Sequence, residues 1–355
     1  MRIAQIAPLY EAVPPKFYGG TERVVSYLTE ALVELGHEVT LFASGDSVTS
    51  AKLEAAWPRA LRLDPSIRDQ LAPHMMLLDR VRRAAGAFDA LHFHLDYLPF
   101  ALFEGVDTPS LTTLHGRLDL PELQPVFNTF TDAPVISISQ SQRTPLPQAH
   151  WLGTVYHGLP ERLLTPQPHC KPEYLAFLGR ICPEKRVDTA IRIAAMSGLP
   201  LKIAAKVDKV DREYFKTEIE PLLGEAHVEF IGEIDEAGKP EFLSRAKALL
   251  FPIDWCEPFG LVMIEAMACG TPVIAFNRGS VPEVIDHGLT GYIVEDVHSA
   301  VAALQRLDEL SREKIRAQFE RRFTSQAMAR AYVEKYTALI ERRARRPALR
   351  RVAAG

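Results

Sequence analysis

Two glutamates stand eight positions apart in EPFGLVMIEAMACGTPVIAF, Glu257 to Phe276. Glu265 lies inside an apolar run, with LVMI before it and AMAC after it. A carboxylate there loses hydration and needs a hydrogen-bonding partner, which a ligand rich in hydroxyls would supply. Pro258 suits the first turn of a helix, so Glu257 is expected at or just before the N-cap, Phe259 to Cys269 as helix and Gly270 as its stop. The carboxylates would then sit roughly 10 Å apart along the axis, with the free N–H groups of the helix start between them as an anion site. A nucleotide sugar has matching parts in order: ribose hydroxyls, a diphosphate, then sugar hydroxyls. A solvated or capping glutamate is the plainer reading, and it fits Glu257 better than Glu265.

Other residues could share that chemistry. FLGRICPEKR places Arg180 at a strand end and Lys185 at a helix start, where two cations could neutralise a departing diphosphate without metal. Lys185 and Arg186 oppose the helix dipole there, a cost that a phosphate would offset; the alternative is plain surface charge. In PPKFYGGTER, Gly19 and Gly20 follow the first strand and precede a helix, allowing close backbone approach at a helix start. The pair is not GxGxxG, and a simple turn is the other reading. HFHLD sets His92, His94 and Asp96 on one face of a strand. Metal ligation is one reading; His94 at the strand end, in catalysis or touching a sugar, is preferred. His115 reads equally well as a satisfied core or loop histidine. There is no DxD to hold a metal-bound nucleotide and no GxSxG elbow.

These residues need a scaffold that brings them together. Arg2–Leu9 reads as a strand, Thr21 as the N-cap of a helix carrying Val24, Val25, Leu28, Leu32 and Leu35 on one face, and Gly36 as its end. HEVTLFA, DALHFHL, PSLTTLHG and PVISIS read as further strands. Strand–helix alternation implies a parallel sheet. Four prolines between Leu159 and Pro172 mark a linker. The rhythm then restarts: EYLAFLGR as strand, Lys185 to Met196 as helix, LKIAAK, HVEFIGEI, ALLFPI and VIAF as strands, with a helix near Ala237–Ala246. The expected fold is α/β: two Rossmann-like, doubly wound domains facing across a cleft, with ligands at the carboxyl ends of the strands. Glu320 to Ile340 reads as a final helix packing back across to the first domain. The boundaries drawn are 1–165 with the helix at about 322–345, then 166–321, then a basic tail at 346–355.

At 355 residues the chain is long enough for two cores. A net charge of −4 gives no nucleic-acid signature. No apolar run reaches the length of a membrane span, and MRIAQIAPLY enters a strand without a signal-peptide layout. Cys170, Cys182, Cys256 and Cys269 show no CxxC pairing, so a cytoplasmic protein with reduced thiols is expected. The arginine-rich tail ERRARRPALRR is either solvated or a peripheral contact with an anionic membrane face.

Together these motifs resemble glycosyltransferase family 4, retaining enzymes of GT-B fold, over nearly the whole chain. YGGTE is similar to its glycine loop, HFHLD to its histidine strand, FLGRICPEKR to its phosphate clamp, EPFGLVMIEAMACGTPVIA to its two-glutamate motif and HGLTGYIVE to the stretch that follows. The resemblance implies that Glu257 contacts donor sugar hydroxyls, Glu265 the ribose, and Arg180 and Lys185 the diphosphate. Backbone N–H groups at Phe259, Gly260, Leu261 and Val262 join that site, with Gly20 approaching from the other domain and His94 beside the sugar. It further implies a hexose moved from a nucleotide-diphosphate sugar, UDP foremost, to an acceptor hydroxyl by front-face substitution without metal or other cofactor. The acceptor, a carbohydrate, lipid or small molecule, would meet first-domain loops near Tyr10, Tyr97 and Arg117. A nucleotide-sugar epimerase of the same shape and a non-catalytic nucleotide-sugar-binding protein are the competing readings.

Overall fold

The computed structural model describes residues 1–16, 19–167 and 169–345. The first sheet holds β1 (Arg2–Ile6), β2 (Glu38–Ser44), β3 (Lys52–Trp57), β4 (Ala90–Phe93), β5 (Ser110–Thr113), β6 (Val135–Ser137) and β7 (Trp151–Thr154), in the order β3-β2-β1-β4-β5-β6-β7. The second holds β8 (Tyr174–Arg180), β9 (Leu201–Lys206), β10 (Val228–Gly232), β11 (Ala246–Phe251), β12 (Val273–Phe276) and β13 (Gly291–Val294), in the order β10-β9-β8-β11-β12-β13. Strands pair in parallel throughout both sheets. Central strands such as β1 and β8 read as apolar runs because both faces are covered, and Ile3, Ala4, Ile6, Leu175, Ala176 and Phe177 are all buried. The strand order reverses between β1 and β4 in one sheet and between β8 and β11 in the other. Such reversals open a crevice beyond the strands' carboxyl ends, and this fold has two of them. The two halves therefore form a GT-B architecture.

Several local readings change. β3 and β7 were not expected as strands; both are sheet edges, part exposed and without a continuous apolar run. Helix Gly20–Glu34 is capped by Gly19, not Thr21, which falls inside the first turn. The final helix is broken in two, Arg312–Arg322 and Ser325–Ala344. Thr324 makes the break, its hydroxyl accepting the Ala327 N–H at 3.1 Å as the N-cap of the second piece.

Ser325–Ala344 crosses back to the first sheet and packs against Gly20–Glu34. Its Tyr332 hydroxyl meets Thr113 Oγ1 at 2.8 Å, and its Tyr336 hydroxyl meets His92 Nδ1 at 2.7 Å. The crossing needs Gly158: a Cβ there would lie 2.2 Å from the Thr324 carbonyl oxygen. Gly158→Ala is expected to cost about 1–3 kcal/mol as an overpacking change, seen as a lower urea midpoint. The Pro-rich stretch lies between the end of β7 at Thr154 and the start of β8 at Tyr174. The basic tail, 346–355, and its membrane contact lie outside the described residues. No helix among the described residues is long and apolar enough to cross a membrane.

Candidate active site

A cleft of about 900 Å³ opens where the carboxyl ends of the two sheets face each other. Its C-terminal wall carries Arg180, Lys185, Glu257, Phe259, Gly260, Leu261, Val262 and Glu265; its N-terminal wall carries Gly19, Gly20, His115, Arg117 and His157. The chain reversal explains the grouping. Arg180 ends β8, with Lys185 just beyond it, while Trp255 and Glu257 follow β11, the neighbouring strand.

Glu257 does not begin a helix. The helix is Leu261–Ala268, and Gly260, left-handed at φ 78°, is its N-cap. Glu257 and Pro258 belong to a loop tied down by Ser280, whose N–H donates to the Glu257 carbonyl at 3.0 Å and whose hydroxyl donates to the Phe259 carbonyl at 2.8 Å. The Glu257 carboxylate pairs with the Lys185 ammonium and accepts the Trp255 Nε1–H at 2.9 Å. Lys185 is held over the Phe251 and Trp255 rings, 5.5 Å from each centroid. It belongs to the short turn Pro183–Lys185 rather than to the following helix, Val187–Ser197, because Arg186 is left-handed at φ 52°.

Glu265 is buried, as its apolar surroundings implied, but its charge partner belongs to the protein. The Lys239 ammonium lies 2.7 Å from its Oε1. Sequence reasoning missed Lys239 because the contact spans two separate crossovers and leaves no local pattern. Trp255 was within reach, two positions from Glu257. Arg180 stands 3.6 Å from Asp208 and 3.7 Å from Asp211, so its charge is shared with two carboxylates.

The histidines are ordered differently from the expectation. β4 ends at Phe93, so His94 lies just beyond it, and Asp96 is left-handed at φ 48° and outside the strand's alternation. His92 and His94 do share a face, with ring centroids 4.1 Å apart, but neither lines the cleft. His94 sits behind the wall, its Nδ1 2.8 Å from His115 Nε2 and its Nε2 2.8 Å from Gln5 Oε1. Both nitrogens of His92 are also taken, by Tyr336 and Thr113, which argues against metal ligation by this pair. His115 is the ring at the wall, stacked on His157 at 5.2 Å. Burial of their nitrogens pushes the pKa of His94, His115 and His157 down, keeping them neutral.

Of the acceptor-side candidates, Arg117 lines the cleft, salt-bridged to Asp119 at 2.7 Å and 5.8 Å from the Trp255 ring on the opposite wall. Tyr10 and Tyr97 are exposed and outside the cleft lining. The walls are joined by Glu236, which accepts from Arg23 at 2.5 Å and from the Tyr27 hydroxyl at 2.8 Å. A second tie is Glu283, which accepts the N–H groups of Gln140 and Ser141, each at 2.7 Å.

Two family models divide the chain between them. Glycosyltransferase Family 4 matches residues 18–186 and Glycosyl transferases group 1 matches residues 166–330. The chain is a family 4-type glycosyltransferase. The transferase is similar to phosphatidyl-myo-inositol mannosyltransferase of Mycobacterium leprae, 26% identical over 330 residues, covering 85% of this chain and 86% of the relative. Its fold is shared with sucrose-phosphate synthase of Thermosynechococcus elongatus, at a TM-score of 0.76 and 22% identity over 96% of this chain and 99% of that one. It is also shared with Anabaena HepE, solved in complex with UDP and glucose, at a TM-score of 0.71 and 18% identity over 95% of this chain and 100% of that one.

Proposed function

We propose that this transferase moves a hexose from a nucleotide-diphosphate sugar, UDP foremost, to an acceptor hydroxyl with retention of anomeric configuration. One observation carries the reading: two carboxylates, each paired with a lysine, flank a helix start on one cleft wall. Glu265 and Lys239 take the ribose end, Arg180, Lys185 and the helix start take the diphosphate, and Glu257 orients the sugar hydroxyls. His115, the histidine that lines the cleft, takes the place beside the sugar expected of His94. The complex of HepE with UDP and glucose supports UDP by analogy of fold.

In the front-face reaction the bond from the anomeric carbon to the diphosphate oxygen breaks. The acceptor oxygen bonds to that carbon on the same face, and its proton passes to the departing phosphate. Charge grows on the leaving group, so Arg180 and Lys185 contribute most to lowering the barrier, and no metal is required. The acceptor enters from the N-terminal wall, past Arg117.

A thermal-shift screen of UDP-, GDP- and ADP-sugars tests the donor. Stabilisation of about 2.7 kcal/mol is expected for the true donor at a hundredfold excess over its Kd, and none for the others. NMR of the product linkage then reads the anomeric configuration. An inverted product defeats the retaining mechanism, and an epimerised donor with no transferred sugar defeats the transferase reading of this site.

A further inference from the structure

Polar side chains run in single file from the C-terminal helix to the cleft wall. The Tyr336 hydroxyl lies 3.0 Å from Gln5 Nε2 and 2.7 Å from His92 Nδ1. Gln5 Oε1 lies 2.8 Å from His94 Nε2, and His94 Nδ1 lies 2.8 Å from His115 Nε2. Gln5, His92 and Tyr336 are 0% exposed and His94 is 3% exposed, so water does not compete for these bonds. A neutral imidazole has one N–H and one lone pair, so each ring hands on the polarity it receives. Gln5 carries donor and acceptor on different atoms, and the direction of its amide sets the direction of the file.

With Nε2 donating to Tyr336, Gln5 Oε1 must accept from His94 Nε2–H. His94 Nδ1 is then a bare lone pair and accepts from His115 Nε2–H. His115 is left with a bare Nδ1, an atom that is buried and has no hydrogen-bond partner among the described residues. The reversed file would place an N–H at that position. A buried N–H without an acceptor is the rarer and costlier outcome, so the network assigns the first direction.

We propose that Gln5 and His94 are positioning residues that hold His115 as its Nε2–H tautomer, so that its ring is kept in one orientation at the cleft wall beside the sugar being transferred. The second half of this statement rests on the placing of His115 beside the donor sugar. The first half does not, because the tautomer is a property of the free protein. Nothing in the local sequence links Gln5 to the cleft: it sits within β1, its side chain turned toward the crossing helix and away from solvent.

The test is long-range proton–nitrogen NMR on protein labelled at the histidine ring nitrogens. In the wild-type protein, His94 and His115 are expected to be protonated at Nε2 and bare at Nδ1. Gln5→Met removes the acceptor, so His115 should show both tautomers, and kcat/KM for the donor should fall about tenfold, the worth of one hydrogen bond. His94→Leu cuts the file one step nearer the cleft and should do the same, with circular dichroism reporting the fold. A wild-type His115 protonated at Nδ1 overturns the proposal, as does an unchanged His115 tautomer in either variant. If Gln5→Met does not fold, the wild-type spectrum and His94→Leu decide. The spectrum needs neither donor nor turnover, so absence of transfer would count against the proposed reaction and leave the tautomer assignment standing.

Discussion

Lys185→Ala is expected to lower sugar transfer by about 10²–10³-fold, the loss seen when one preorganised charge donor is removed from a transition state. Lys185 is suited to that role by its surroundings. Its ammonium lies over two aromatic faces, which exclude water on one side and attract the cation, and its pairing with Glu257 fixes it at the cleft. The same pairing determines what else the variant does. Glu257 keeps the Trp255 N–H after Lys185 is gone, and its side chain retains access to solvent, so the fold should survive with a small drop in melting temperature. Lys185→Arg should not restore activity fully, because a planar guanidinium cannot reproduce a compact ammonium held between Phe251, Trp255 and Glu257. Turnover at initial rates and a thermal melt on the same preparation check both halves. Wild-type turnover in Lys185→Ala would remove this lysine from the reaction.

The second large effect concerns Glu265 and Lys239, where binding and stability can be separated. Glu265→Gln should weaken nucleotide binding about 10- to 100-fold by calorimetry, the range for a hydrogen bond to a charged group. Lys239→Met should instead cost about 3 kcal/mol of stability, because it leaves a buried carboxylate without its counter-charge. The double variant Glu265→Gln, Lys239→Met should recover most of that stability and none of the binding. If the double variant binds nucleotide like the wild-type protein, Glu265 has a structural role and the ribose contact lies elsewhere.

Much of this was legible in the chain because the informative residues are local. The end of β8 and the turn after it carry Arg180 and Lys185 within six positions, and the glutamate motif carries its own helix and strand in twenty. A Glu inside LVMIEAMAC is anomalous under any fold, so the expectation of a partner was sound. Its identity was not legible, because Lys239 reaches Glu265 from the far side of a crossover. The helix start was misplaced for a related reason. Proline at a first turn is a statistical preference, whereas Gly260 adopts a left-handed cap that the loop geometry of Glu257 to Phe259 imposes.

Period-two alternation correctly put His92 and His94 on one face, but it could not say which histidine reaches the cleft. That depends on where β4 stops and how far β5 extends beside it. β4 ends at Phe93, leaving His94 against Gln5 and His115, while His115 follows the end of β5 and lies in the wall. The sequence alone determined two parallel α/β units and the carboxylates and cations that line one wall of the cleft, because apolar runs and charged strand ends are local and additive. The tertiary structure alone decided the partners: Lys185 with Glu257, Lys239 with Glu265, and the file from Tyr336 through Gln5 and His94 to His115. The lysine–glutamate pairs form only when separate crossovers of the second sheet pack side by side, and the file only when a helix from the chain's far end crosses back to the first sheet, and no short window of residues encodes either.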